Sequence, residues 1–209
     1  LSVRQIEKGI NDCTEQEVAE MLQQRENVLQ SQLHEQQMHL QGLQNLRVAL
    51  RLCEQGEWSV RTVPDVWYLP HTIGKEFVQD SRIYDQLPQW LDWMPVVTSA
   101  QIARGNDAHA ERMEWGLGLE QAEAAQLGFA PQEPAQLLHL GRVLEIYCSW
   151  EIPAEHGSEK GLYQYCMERA RALNLVPEPV MFRRVFCYTE KGGTKQVYNV
   201  LRVPVKMAE

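Results

Sequence analysis

Residues 22–50 read LQQRENVLQSQLHEQQMHLQGLQNLRVAL, a stretch in which leucine recurs at the spacing of a seven-residue repeat. Read as heptads abcdefg, the repeat is interrupted only by Glu26, Gln36 and Arg47. Gln, Glu, Arg and His occupy most of the positions between the leucines. So narrow an apolar seam cannot bury itself in a globular core and requires a partner helix. The stretch therefore predicts a dimerising coiled coil, with d positions at Leu22, Leu29, Leu43 and Leu50 and a positions at Leu33 and Leu40.

The helix that carries this seam is predicted to span residues 14–55. Thr14 followed by Glu17 is a capping box that starts a helix. No proline interrupts the segment, and Gly56 ends it. At about 1.5 Å per residue, a helix of about 40 residues is about 60 Å long, a length usual for coiled coils and unusual in a compact domain. A shorter helix is predicted before it, over Leu1–Asp12.

Composition narrows the classes of function. The 209 residues allow one or two domains with a buried core. The net charge of −8, from 28 acidic and 20 basic residues, indicates a surface that repels a phosphate backbone. Most of this chain is therefore not a DNA-binding surface, although a DNA-binding module that has been cut away is compatible with it. No apolar run reaches the roughly 18 residues of a membrane-spanning helix, so no membrane partner is expected.

The cysteines indicate a reducing compartment. They are scattered, odd in number and without a C-x-x-C pair, so neither zinc nor disulfide spacing is present: Cys13, Cys53, Cys148, Cys166 and Cys187. The first residues do not have the pattern of a signal peptide. Both observations predict a cytoplasmic protein.

Beyond Gly56 the chain has the periodicity of strands that alternate with helices. The first half is predicted to contain a strand over 58–63 that resumes over 66–69 after the turn Pro64-Asp65, then a helix over 75–94 and strands over 100–104 and 112–119. The second half is predicted to contain strands over 142–152, 180–188 and 196–205 and a helix over 158–175.

Both halves therefore have the order strand, helix, strand, strand, which predicts an α+β fold built on a duplicated βαββ unit. Pro88 should kink the first helix, and the segment Glu190–Gly193 is predicted to be a hairpin turn. The resulting domains are a helical region over 1–56 and a second domain over 57–209, with repeats of about 58–130 and 131–209.

Two features resemble the MerR family of bacterial transcription regulators. The segment Leu1-Ser-Val-Arg-Gln-Ile6 is similar to the short motif that closes the winged-helix module of that family, just before its long dimerisation helix. Residues 58–209 resemble the GyrI-like effector-binding domain of its multidrug-sensing members, whose last strand commonly ends in an apolar-Pro-apolar motif, here Val203-Pro204-Val205. The resemblance implies an antiparallel homodimer, a small-molecule effector, and DNA contact only through a winged-helix module that precedes Leu1.

The chain departs from that family in the second-to-last strand. Many such domains carry there a glutamate, in a Glu-x-aromatic pattern, that recognises cationic ligands. The corresponding stretch is Arg183-Arg184-Val185-Phe186-Cys187-Tyr188, so that Arg184 stands at the position of the glutamate and Phe186 at that of the aromatic residue. We therefore expect neutral or anionic aromatic ligands to bind better than lipophilic cations.

Aromatic and acidic residues in the predicted strands are the candidate effector contacts. Aromatic walls with a few polar groups are usual in small-molecule pockets, although most aromatic residues belong to a core. Alternation along the strands leaves two orientations open for each of the acids Glu114 and Glu145, inward to a pocket or outward to water. Arg184 is a candidate ion-pair partner for one of these two acids. The expected site lies between the two halves and comprises Tyr68, Glu114, Trp115, Glu145, Tyr147, Trp150, Arg184, Phe186 and Tyr198.

Catalytic signals are weak, and no cofactor or metal is expected. The six histidines lack metal-ligand spacing, and nucleophile-elbow, P-loop and dinucleotide motifs are absent. Cys148 is interpreted as a buried thiol rather than a nucleophile. Two alternatives to a regulator stay open: an enzyme that uses Glu114 or Glu145 as general base, and an adaptor whose helix recruits another protein. The sequence that precedes Leu1 would separate a regulator from an adaptor.

Overall fold

The computed structural model describes residues 14–105, 113–152, 159–191 and 193–207. The chain divides into two compact units, Leu1–Gln41 and Gly42–Glu209. The short helix predicted over Leu1–Asp12 lies outside the described residues.

Helix α1 spans Glu15–Gln55, as the heptad pattern predicts. The capping box is formed: the backbone N–H of Thr14 donates to Glu17 Oε2 at 2.7 Å, and the N–H of Glu17 donates to Thr14 Oγ1 at 3.4 Å. Gly56 ends the helix with φ of 65°, a left-handed conformation that glycine adopts without strain. Five leucines of the predicted seam are between 49% and 57% exposed in the single chain: Leu22, Leu29, Leu33, Leu40 and Leu43.

Ten strands and three further helices follow α1 in the part of the chain that the structure describes. The strands are β1 (Trp58–Thr62), β2 (Val66–Ile73), β3 (Glu76–Phe77), β4 (Thr98–Arg104), β5 (Glu114–Glu120), β6 (Gln136–Leu138), β7 (Arg142–Ile152), β8 (Leu175–Pro177), β9 (Val180–Lys191) and β10 (Thr194–Met207). The helices are α2 (Ser81–Asp92), α3 (Gln121–Gln126) and α4 (Glu159–Ala172).

The strands form one antiparallel sheet in the order β1-β7-β10-β9-β4-β5-β2-β3, while β6 pairs with β2 and β8 pairs with β10. At the middle of this order β4 pairs with β9, with Ala100 opposite Arg184 and Ile102 opposite Phe182. Strands from the two halves of the sequence therefore meet at the centre of the sheet. The protein is α+β, with a long N-terminal helix and a large antiparallel sheet.

The helix predicted over 75–94 is wrong in its first third. Gly74 has φ of 60° and turns the chain, so that Glu76 and Phe77 pair with β2 as strand β3. The helix begins only at Ser81, after Asp80 caps it by accepting a hydrogen bond from the N–H of Arg82 at 3.0 Å. Backbone pairing with β2 competes with the helical periodicity in this segment. The helix then continues past Pro88 to Asp92.

The two long helices of the second unit pack against one face of the sheet. Helix α4 covers a cluster that includes Leu144, Ile146 and Leu201, and α2 covers a second cluster that includes Leu117 and Leu119. Register and alternation place these residues on the same side of the sheet. We call this side the helical face. A third cluster, which contains Tyr68, Ala100, Ile102, Val143 and Phe182, lies on the opposite face.

Candidate functional site

A cavity of about 300 Å³ lies within the second unit, on the face opposite to α2 and α4. One wall is the last part of α1, the second is the loop before β4, and the third is the sheet. Its lining residues are Gly42, Asn45, Leu46, Val48, Ala49, Leu52, Arg61, Met94, Pro95, Val96, Val97, Thr98, Glu120, Glu123, Tyr147, Arg184, Val185, Phe186, Val200 and Arg202. We call this space the sheet-face cavity.

Gly42 allows α1 to approach the loop at the rim of the sheet-face cavity. A Cβ atom built at Gly42 would lie 3.0 Å from Val96 Cγ2 and 3.1 Å from Val96 N. These distances are shorter than most real Cβ contacts, so Val96 would have to give way by a few tenths of an ångström. A glycine inside a helix costs roughly 0.5–1 kcal/mol relative to alanine. The close approach accounts for its presence in the middle of α1.

A buried carboxylate, Glu145, lies at the base of the cavity and binds two arginines. Arg61 donates from Nε to Glu145 Oε2 at 2.7 Å and from Nη2 to Oε1 at 3.0 Å. Arg202 donates from Nε to Glu145 Oε1 at 2.9 Å. Register explains the arrangement, because Glu145 of β7 stands opposite Ser59 of β1 and opposite Arg202 of β10. Glu145 is 1% exposed, so its orientation, which alternation left open, is inward.

Glu120, at the end of β5, binds the same Arg202 and also Arg184. Arg184 donates from Nη1 to Glu120 Oε1 at 2.9 Å and from Nε to Thr98 Oγ1 at 3.0 Å. Arg202 donates from Nη2 to the same Glu120 oxygen at 3.1 Å. The expectation that Glu114 or Glu145 is the partner of Arg184 is therefore wrong. We call these five residues, Arg61, Glu120, Glu145, Arg184 and Arg202, the ionic network.

The ionic network favours the charged form of Glu145. Burial opposes its ionisation, but the hydrogen bonds and charges of Arg61 and Arg202 outweigh burial and hold the pKa of Glu145 below its usual range. A lowered pKa makes this carboxylate a poor general base at neutral pH. The pKa of Tyr147 is raised, first by burial and then by the charge of Glu145, so that its phenol stays protonated.

Two buried polar atoms beside the network have no hydrogen-bond partner within the part of the chain that the structure describes. They are Nη1 of Arg202 and Oε2 of Glu123. Burial raises the pKa of Glu123, which favours its neutral, protonated form. Both residues line the cavity. An unsatisfied buried hydrogen-bonding group costs about 1–3 kcal/mol. Each of these two atoms therefore marks a place where a bound molecule gains a hydrogen bond.

A second polar centre, Arg183, lies on the helical face. Its guanidinium carbon is 5.5 Å from the ring centroid of Trp115 and 5.0 Å from that of Trp150. Arg183 donates from Nε to Asn199 Oδ1 at 2.6 Å and from Nη1 to Gln101 Oε1 at 2.8 Å. Successive strand residues face opposite sides of a sheet. Arg183 therefore faces away from the cavity that its neighbour Arg184 lines.

The structure brings six of the nine predicted site residues to these two places. Tyr147, Arg184 and Phe186 line the sheet-face cavity, and Glu145 lies beneath it. Trp115 and Trp150 contact Arg183 on the helical face. Tyr68 is fully buried and donates to the backbone oxygen of Glu114, and Tyr198 donates to Gln196 Oε1. A register shift between β9 and β10, between Tyr198 and Asn199, leaves Phe186 without a partner and lets it line the cavity together with Val185.

Sequence reasoning missed Arg61, Glu120, Glu123 and Arg202. The sequence held a signal for one of these residues, Arg202. Strand alternation places Arg202 on the same face of β10 as Val200 and as Tyr198, which is a predicted site residue. The others meet it only because β1 pairs with β7 and because β5 ends next to the centre of the sheet.

The described residues give no sign of a reactive thiol or a metal centre. Burial raises the pKa of Cys148 to about 12 and that of Cys53 to about 11, which opposes formation of a thiolate. No group of three or more His, Cys, Asp or Glu residues suited to a metal ion occurs in residues 14–105, 113–152, 159–191 and 193–207. Among the helices of these same ranges, none is both long enough and apolar enough to cross a membrane.

Comparison with solved structures finds sixteen matching chains, among them three with low sequence identity. The C-terminal domain of EcmrR matches with a TM-score of 0.45 and 10% identity, over 73% of this chain and 99% of that one. EcmrR in a complex with DNA matches with a TM-score of 0.44 and 13% identity, over 100% of this chain and 78% of that one. A hydrolase from Listeria innocua matches with a TM-score of 0.40 and 9% identity, over 72% of this chain and 92% of that one.

No family model matches this chain, and no curated protein matches it. The three structural likenesses are too weak to assign a family or an activity.

Proposed function

We propose that this chain is the dimerisation and effector-binding portion of a ligand-responsive transcription regulator. The α1 helices of two copies form the dimer, and a small organic molecule binds in the sheet-face cavity. DNA is contacted through a separate DNA-binding module of the MerR type. The resemblance of Leu1–Ile6 and Val203–Val205 to that family motivates the module.

One observation carries the proposal: the helix that bears the leucine seam also forms a wall of the cavity. Leu46, Ala49 and Leu52 of α1 line the cavity, and the seam runs from Leu22 to Leu50 on the same continuous helix. A molecule in the cavity touches the helix directly. Its binding free energy can therefore favour one arrangement of the dimer over another, which is the requirement for a ligand-controlled switch.

A second copy of the chain is the partner that best fits the seam. Five seam leucines are about half exposed in the single chain, and a soluble helix does not leave so regular an apolar row in water. The a/d spacing is that of knobs-into-holes packing against a similar helix. The flanking Gln and Glu side chains suit the polar margins of such a pair. A homodimer, antiparallel as the resemblance implies, buries the row along most of α1.

The strand order supports a duplicated βαββ domain. In the first half β2 is followed by α2, β4 and β5, which lie in the sheet as β4-β5-β2. In the second half β7 is followed by α4, β9 and β10, which lie in the sheet as β9-β10-β7. The same relative order occurs twice, and β4 and β9 meet at the centre. Strands β1, β3, β6 and β8 are additions to this plan.

The proposal is tested by hydrogen–deuterium exchange on the full chain. A panel of aromatic compounds with matched anionic, neutral and cationic groups is first screened by thermal shift. We expect a compound that raises Tm to slow exchange in residues 42–52 and also to change exchange in residues 22–40.

The control for this test is the variant Ala49→Leu, which fills the cavity and should abolish both effects. Ala172→Leu, at the exposed end of α4, adds the same volume elsewhere and should keep them. A compound that protects the sheet but leaves residues 22–40 unchanged at saturation would contradict a sensing role.

A further inference from the structure

We infer that the sheet-face cavity binds a carboxylate on a compact aliphatic or aromatic body, with Arg202 as its main contact. The inference rests on the proposed function, because it specifies the ligand of that same cavity. It follows from the unsatisfied hydrogen bond of Arg202, from the charge balance of the lining and from the apolar opposite wall.

Arg202 is fixed at two of its three guanidinium nitrogens and has one nitrogen left for a ligand. It is 3% exposed. Its Nε binds Glu145 and its Nη2 binds Glu120, while Nη1 is buried without a partner among the described residues. A planar guanidinium fixed at two nitrogens is pre-organised for an acceptor at the third. A carboxylate oxygen supplies the strongest such acceptor, because charge-assisted hydrogen bonds are roughly twice as strong as neutral ones.

The charge balance of the cavity favours an anion. Arg61, Arg184 and Arg202 contribute three positive charges, and Glu120 and Glu145 contribute two negative charges within the ionic network. The third acid, Glu123, is shifted toward its neutral form by burial. One positive charge is therefore uncompensated. A ligand cation would add to this excess, and a neutral ligand would leave it.

The opposite wall accepts an apolar body. Leu46, Ala49 and Leu52 of α1 and Val97 of the loop line that side, and Tyr147 and Phe186 border it from the sheet. A volume of about 300 Å³ is at the lower end of the range for small-molecule sites, which suits a compact ligand. The molecule then places its carboxylate on Arg202 and its body against α1.

The test uses three probes that share one skeleton: 4-phenylbutyrate, 4-phenylbutanamide and 4-phenylbutylamine. Isothermal titration of the full chain should show the carboxylate binding at least tenfold more tightly than the amide or the amine. Arg202→Lys keeps the charge but loses the planar fork, and should weaken the carboxylate about tenfold while leaving the amide unchanged. Arg184→Gln should weaken it about threefold and serves as the test if Arg202→Lys does not fold, as judged by circular dichroism.

Two controls separate failure of this inference from failure of the proposed function. Arg142→Gln changes an exposed arginine on the same sheet and should leave all three affinities unchanged. Ala49→Leu should abolish binding of every probe. If the amide binds as well as the carboxylate and both are lost in Ala49→Leu, the carboxylate assignment is overturned while the cavity stands. No binding of any probe at millimolar concentration also overturns the carboxylate assignment. Carboxylate binding that survives Ala49→Leu overturns the cavity as the effector site.

Discussion

At the scale of single residues, the two adjacent arginines Arg183 and Arg184 have different surroundings. Arg183 is buried between two tryptophans and binds amide oxygens, whereas Arg184 binds a carboxylate and a hydroxyl at the sheet-face cavity. The difference follows from strand alternation, which sends neighbours to opposite faces. Of the two, Arg184 is the one whose substitution should change the charge of the cavity.

Arg184→Glu should raise the affinity of the chain for cationic aromatic dyes. The substitution removes a positive charge from the cavity and adds a negative one, which is worth about 1–3 kcal/mol if the contact is desolvated. Titration of tryptophan fluorescence with matched cationic, neutral and anionic ligands measures the change. A preference of the unsubstituted chain for cations that persists unaltered in Arg184→Glu would show that Arg184 does not contact the ligand.

Glu145→Gln should destabilise the protein by about 3–5 kcal/mol at neutral pH, because it removes one of the two carboxylates that bind the buried Arg202. The pKa of Glu145 is lowered in the folded state. Its stabilising contribution is therefore present above the unfolded pKa and is lost as the pH falls through the folded pKa. Urea unfolding at neutral and at decreasing acidic pH should show the gap between the two proteins narrowing in acid.

The matched control for that experiment is Glu151→Gln, an exposed position on the same strand. It should change stability by less than about 0.5 kcal/mol at any pH. A gap between the native protein and Glu145→Gln that stays constant down to the acid limit would mean that the ionic network does not control the ionisation of Glu145.

At the scale of elements, α1 contributes to two separate features. Its first part carries the exposed leucine row, and residues 42–52 form a wall of the cavity. The polar residues between the leucines leave the helix with one apolar seam rather than a broad apolar face. In the proposed dimer, packing of that seam against a second copy is the main stabilisation available to the first part of the helix.

The double substitution Leu33→Glu and Leu40→Glu should convert a dimer to monomers, because it places four like charges in the seam of the pair. Sedimentation at micromolar concentration measures the change. The control Asn27→Glu with Ser31→Glu adds the same charge to the same helix at b and f positions, outside the seam, and should stay dimeric. If the seam variant also stays dimeric, the a/d assignment is incorrect.

At the scale of the whole molecule, the charge of the chain sets what it can bind. An excess of eight acidic residues is unfavourable beside a phosphate backbone, because lysine and arginine contacts to phosphate normally dominate affinity for DNA. The ionic network does not change this, since Glu120 and Glu145 leave only one of its three positive charges uncompensated.

We therefore expect residues 1–209 to bind duplex DNA weakly or not at all. A gel shift at low and at physiological salt measures this, with a basic DNA-binding protein as the positive control. Tight binding that weakens steeply with added salt would contradict the charge argument and the proposal that a separate module contacts DNA.

The sequence by itself determined the features that depend on local periodicity. Thr14, the leucine repeat and Gly56 define α1 to within one residue at each end, because capping, helical spacing and termination are properties of neighbouring residues. The strand at Arg142–Ile152 was predicted with its observed limits for the same reason. The segment Glu76–Phe77 was not, because its strand conformation depends on pairing with β2.

Only the tertiary structure decided which residues share the candidate site. Arg61, Glu145 and Arg202 are far apart in sequence and meet because β7 lies between β1 and β10. Tyr147 and Trp150, three residues apart, face opposite sides of one strand. Long-range packing sets which face of the sheet lies against α1 and which lies against α2 and α4. A local sequence pattern carries no information about such packing.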